Sequence, residues 1–134
     1  MFHYLATPYT HPDASVRQKR VNEARRYMAA LLRVHVITFC PISMTHDAAV
    51  TYDLPKDFMF WERFNDAFLS RSAGVMVANI DGWEQSAGVM HEIQMARSLG
   101  LPVNLAEFEG DRIVVRQLAA YSRVDSVSSK CDEW

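Results

Sequence analysis

Apolar and polar positions along the 134 residues follow two periods in turn. Short apolar runs fit strands. Between them, apolar side chains recur every three or four positions, which fits helices. The first run, 2–6, is stopped by Thr7-Pro8. Residues 15–33 carry the helical period through Val16, Ala24, Tyr27, Met28, Leu31 and Leu32. Ser15 with Gln18 forms a capping box that predicts the helix start. Residues 35–39 are rich in β-branched side chains and closed by Pro41, which predicts a second strand. Residues 40–56 form a long connection with one helical turn near 44–50. Connections of that length are usually functional.

Residues 57–70 predict a second amphipathic helix that buries Phe58, Trp61, Phe64 and Phe68. The almost continuous apolar run 74–78 suits a strand covered on both faces. A loop over 79–85, a helix over 86–100 ended by Gly100, a strand over 101–106 and a last helix over 111–121 complete the order. This β-α-β-α-β-α-β-α alternation predicts a single α/β domain over 1–121. The expected architecture is a flavodoxin- or Rossmann-like parallel sheet of four to five strands with helices on both faces. Residues 122–134 form a polar C-terminal tail. Ligands of such sheets bind beyond the C-terminal strand ends, so the loops 7–13, 40–56 and 79–86 are expected to meet there.

A content of 49% hydrophobic residues supports an ordinary core, and a formal net charge of −2 gives no general pull toward polymeric nucleic acid or anionic membrane. Cys40 and Cys131 lie far apart and form no CxxC pair. No apolar stretch approaches membrane-span length, and the first residues lack the pattern of a signal peptide. The expectation is a cytoplasmic protein. The five histidines show no zinc-ligand spacing, and GxxxxGK[ST], GxGxxG and GxSxG are absent, so neither a metal nor an organic cofactor is expected. His46-Asp47 reads as an ordinary loop pair. The basic run Arg17, Lys19, Arg20, Arg25 and Arg26 reads as a solvated helix face, from which one of the early arginines could reach a phosphate.

Glu92 stands out against this pattern. At about 100° per residue it falls within the apolar arc of Val89, Ile93, Ala96 and Leu99. A carboxylate placed among apolar groups costs several kcal/mol unless it is paired or used. Ser86 opens the same helix as an N-cap, Gly88 lets a ligand approach the backbone, and helix N-termini suit phosphates. Tyr4, in the first strand, needs an acceptor for its hydroxyl if buried, and Glu92 is an obvious one. Asp66, by periodicity, faces away from its helix's core arc beside Glu62 and Ser70.

Three stretches resemble the nucleoside 2-deoxyribosyltransferase superfamily, and most closely its 2′-deoxynucleoside 5′-monophosphate N-hydrolase branch. They are Tyr4-Leu-Ala-Thr-Pro-Tyr9, Asn65-Asp66 before the strand at Val75, and Ser86-Ala-Gly-Val-Met-His-Glu92. The resemblance spans residues 2–106. It implies Glu92 as the nucleophile at C1′, Tyr4 aiming that carboxylate, Asp66 assisting protonation of the base, Tyr9 flanking the base and Ser86 holding a 5′-phosphate. Thr7 and Gly88 would join the substrate-binding set. The implied activity is N-glycosidic cleavage of a small nucleotide without metal or cofactor. Base exchange between deoxynucleosides, or nucleotide binding without catalysis, are the alternatives. Homo-oligomerisation to a dimer or tetramer is expected by the same analogy, and from the apolar surface of the 58–68 helix. Departures from the pattern are Ile93-Gln94 after the Glu, where relatives often carry small residues, and the 40–56 segment, which does not align clearly.

Overall fold

The computed structural model describes residues 1–118. Its elements are β1 (His3–Ala6), α1 (Ala14–Arg33), β2 (Thr38–Phe39), α2 (Pro41–Thr51), α3 (Phe58–Leu69), β3 (Val75–Ala78), a 3₁₀ turn (Trp83–Gln85), α4 (Ala87–Ser98), β4 (Val103–Glu109) and β5 (Arg112–Gln117). The five strands form one sheet in the order β2-β1-β3-β4-β5. The first four run parallel, and β5 pairs antiparallel with β4. This is the flavodoxin-like order expected of the chain, with its switch point between β1 and β3.

Alternation along the strands divides the core into two layers. Tyr4, Ala6, Val75, Val77, Val103 and Leu105 pack with Val89, Met90, Ile93 and Ala96 of α4 and with Leu69 of α3. Leu5, Met76, Ala78 and Ala106 face Ala24, Tyr27 and Leu31 of α1. Gly74 leads into β3 against the start of β4. A Cβ there would come within 2.7 Å of the Pro102 carbonyl oxygen, and φ is +157°. Any other residue would push β3 away from the start of β4.

Four local expectations are corrected. Asp13, not Ser15, caps α1: its carboxylate accepts the Ser15 N–H at 2.8 Å, and Ser15 already lies inside the helix. The 40–56 connection is mostly α2, because Pro41 both ends the strand and occupies the first turn of a helix, where its missing N–H costs nothing. The segment expected to begin the last helix, 111–117, instead forms a hairpin with β4. Gly110 turns the chain with φ +64°, and the β-branched run Ile113-Val114-Val115 pairs along β4. Residues 119–121 of that expected helix and the tail 122–134 lie outside the described residues. Finally, α3 does not bury the four predicted aromatics. Phe58 is 49% exposed, Trp61, Phe64 and Phe68 are half-buried, and Leu69 is its one fully buried side chain. Phe68 stacks on Phe39 of β2 at 4.0 Å between centroids, which docks the C-terminal half of α3 on the sheet and leaves the N-terminal half beside an open crevice. Among the described residues no helix is long and apolar enough to cross a membrane.

Candidate active site

A cavity of about 780 Å³ opens beyond the C-terminal end of β1. The three segments expected to converge do so: Thr7, Tyr9 and Thr10 after β1, α2 with its following loop, and Gln85-Ser86 before α4. Four helices each turn one stripe toward it. The spacing is i, i+3, i+4 for Ala14, Arg17 and Gln18 of α1 and for Gly88, His91 and Glu92 of α4. On α3 the stripe is Phe58, Trp61, Glu62, Asn65 and Asp66, and on α2 it includes Ile42, Thr45, His46 and Ala49. Asp66 therefore leaves the core side of α3, as its periodicity predicts, and faces the crevice.

Glu92 is 8% exposed, with its carboxylate at the cavity wall. The fully buried Tyr4 donates its hydroxyl to Glu92 Oε2. The neighbouring apolar arc is Val89, Met90, Ile93 and Ala96. Leu99, expected to share it, is 48% exposed because the helix ends at Ser98. Burial pushes the Glu92 carboxyl up to about 8. The Tyr4 hydrogen bond opposes this rise, and the negative charge of Asp66 adds to it. The Tyr4 phenol is raised as well, first by burial and then by Glu92, so the phenol keeps its proton as the donor of the pair.

Asp66 stands across from α4. Its Oδ1 lies 3.4 Å from His91 Nε2 as an ion-pair contact, and both atoms are sealed from solvent and have no hydrogen-bond partner. Phe58 packs edge-on against the His91 ring at 5.0 Å. His91 escaped the sequence reading; its one signal was its place beside Glu92.

Ser86 caps α4 by accepting the Val89 N–H at 3.2 Å. The first amides of a helix have no partner within it, and Ala87 and Gly88 lie on the cavity wall. A Cβ at Gly88 would meet only Ser86 Oγ, at 3.9 Å, so the space above it belongs to the cavity. The loop ahead of α4 is fixed by the indole N–H of Trp83, which donates to Asn79 Oδ1 at 3.1 Å, and by the Tyr27 hydroxyl, which donates to the Asn79 carbonyl at 3.0 Å.

Tyr9 hydrogen-bonds His46 Nδ1 at 2.9 Å, and His46 Nε2 pairs with Gln18 Oε1 at 3.1 Å. His46, read from the sequence as an ordinary loop residue, is thus a buried member of the wall, while Asp47 pairs outside it with Arg25 at 3.4 Å. Because the amide oxygen only accepts, His46 carries its proton on Nε2, and the Tyr9 hydroxyl donates to Nδ1. Thr7 lies buried on the wall beside the Cys40 thiol, whose pKa is raised by burial. The basic run of α1 lies on a solvated face, as its pattern predicts, with several of its side chains bonded to the chain itself. Arg17 and Arg20 donate to carbonyls of the β1–α1 loop, Arg26 pairs with Glu23 and stacks on Phe108, and Arg17 also borders the cavity. No group of three or more His, Cys, Asp or Glu among the described residues is arranged to hold a metal ion.

An α/β domain of flavodoxin-like strand order, with a carboxylate–tyrosine pair and a second carboxylate facing one crevice, is the class these features define. Over residues 2–108 the chain matches a family model described as a domain of unknown function (DUF1937), and it belongs to that family. No curated protein matches it.

Proposed function

We propose that the protein cleaves the N-glycosidic bond of a small nucleotide, a 2′-deoxynucleoside 5′-monophosphate, with Glu92 as nucleophile. The observation that carries this reading is a buried glutamate, held by a tyrosine hydroxyl, on the wall of a nucleotide-sized cavity that also receives Asp66 and the N-terminus of α4. The resemblance to the 2-deoxyribosyltransferase superfamily supports it with the same residues.

Cleavage of an N-glycoside passes through an oxocarbenium-like state, which a carboxylate beside C1′ stabilises or captures while an acid protonates the leaving group. Glu92 serves as that carboxylate once ionised, and the developing positive charge at C1′ favours its ionised form. Tyr4 fixes its orientation. The Asp66 side of the crevice provides the proton for the base, Tyr9 flanks the base, and Ser86, Gly88 and the α4 N-terminus receive the phosphate, with Thr7 on the adjoining wall. The chemistry draws on no metal or organic cofactor. The exposed Met59 and Phe60 of α3, next to Phe58, give copies of the chain an apolar surface through which to associate, and the protein acts in the cytoplasm as a homo-oligomer.

The test is incubation with dCMP, dGMP, dAMP and dTMP, and with the matching free deoxynucleosides, each with and without an acceptor base. Release of free base from monophosphates alone is the expected result. Formation of a new nucleoside assigns base exchange instead. Saturable binding without release leaves a nucleotide-binding module and ends the hydrolase reading.

A further inference from the structure

The geometry points to His91 as the proton donor to the departing base, with Asp66 as its orienting partner, an assignment that rests on the N-glycosidic reading above. His91 precedes Glu92 on α4, and both line the cavity. Asp66 approaches His91 from α3 to 3.4 Å, and the facing atoms, Oδ1 and Nε2, are closed to solvent and without a hydrogen-bond partner. A carboxylate against one ring nitrogen settles the tautomer and ring orientation of a histidine and stabilises its imidazolium. With Nε2 on the Asp66 side, Nδ1 is the ring atom left for a ligand. The Phe58 ring, edge-on at 5.0 Å, limits rotation from the other side. Imidazole is also the side chain best suited to exchange a proton near neutral pH.

In the first step the proton on His91 Nδ1 moves to a nitrogen of the base as the C1′–N bond breaks and its electron pair passes to the base. A Glu92 oxygen bonds C1′. In the second step a water oxygen bonds C1′, its proton moves to Nδ1, and the ester bond breaks to return the Glu92 carboxylate. The sum is nucleotide plus water giving free base and deoxyribose phosphate.

The experiment compares two leaving groups in the full-length protein: an ordinary base in a 2′-deoxynucleoside 5′-monophosphate, and 4-nitrophenolate on 2-deoxyribose 5-phosphate, which departs without a proton. His91→Gln is expected to lose about 10²–10⁴-fold in kcat on the nucleotide, the range of a general acid, and less than about fivefold on the nitrophenyl substrate. Asp66→Asn, which loosens the ring but leaves the imidazole in place, is expected to lose about tenfold on the nucleotide. His91→Asn, with an unchanged melting temperature, guards against a folding artefact. Equal loss of His91→Gln on both substrates overturns the assignment. So does leaving-group dependence confined to Asp66→Asn, which would make Asp66 the direct donor. If the unaltered protein releases base from no nucleotide but still cleaves the nitrophenyl compound, the proton-donor assignment alone has failed. If it cleaves neither, the N-glycosidic reading has failed with it.

Discussion

Replacing Glu92 with Gln tests the electrostatics of the crevice without any knowledge of substrate. In the folded protein the carboxyl rises from its ordinary 4.5 to about 8, chiefly through burial. The folded state therefore holds this proton more tightly than the unfolded chain. Below about pH 4.5 both states are protonated and the residue contributes no pH dependence. As pH rises from there toward 8, the unfolded chain ionises first and stability is lost, with no further loss above the folded pKa. At about 1.4 kcal/mol per tenfold change in proton affinity, the full loss comes to about 5 kcal/mol. Glu92 is still 8% exposed at the cavity wall, so screening trims the expected value to about 2–4 kcal/mol. Gln keeps the shape and can still accept the Tyr4 hydroxyl, but it does not ionise. Urea unfolding followed by the fluorescence of Trp61 and Trp83 at pH 5, 7 and 9 reads this directly. The two proteins are expected to agree within about 1 kcal/mol at pH 5, and the variant to be more stable by about 2–4 kcal/mol at pH 9. Titrating groups remote from Glu92 are common to both and cancel. Parallel pH profiles, or a variant less stable at pH 9, would refute the reasoning, because Glu92 would then titrate like a solvated carboxylate.

Three further outcomes follow from the same geometry. Tyr4→Phe removes the hydrogen bond that opposes the rise of Glu92. A bond to a charged group is worth about 1.5–3 kcal/mol, so the alkaline-rising limb of kcat/KM, expected near pH 8 in the unaltered protein, moves up by about 1–2 pH units. Gly88→Ala meets only Ser86 Oγ at 3.9 Å, so calorimetry is expected to show an unchanged or slightly higher melting temperature, with a gain of up to about 1 kcal/mol from helix propensity, while KM for a 5′-monophosphate rises about tenfold. Ser86→Ala loses the N-cap of α4 and about 1 kcal/mol of stability in urea unfolding, together with monophosphate affinity.

The architecture was legible because each parallel strand is a short apolar run bounded by a turn signal. Phe2–Ala6 ends at Thr7-Pro8, and Val75–Ala78 follows Gly74. β5 was missed for a physical reason: an edge strand exposed along most of its length shows weak alternation, and the hairpin depends on Gly110 and on pairing with β4, neither of which a helical window registers. Pro41 carried two meanings, strand end and helix start, and only the first was read. In the site, Glu92 was visible because a charge interrupts an apolar arc. On α3, Asp66 was visible because it falls off the predicted core arc, but Phe58 and Trp61 were not, because they obey the spacing of a buried stripe, and nothing in the local sequence tells a helix face that lines a cavity from one that packs on a core. His91 and Gln18 gained meaning only from partners 25 and 28 positions away, Asp66 and His46.

The most direct measurement is the rate of free-base release from a 2′-deoxynucleoside 5′-monophosphate by the unaltered protein and by Glu92→Gln, with nucleotide binding to each established by calorimetry. The account predicts release by the first and a loss of at least about 10³-fold in the second, with binding retained. Equal release by both proteins would show that the buried glutamate is not the agent of cleavage.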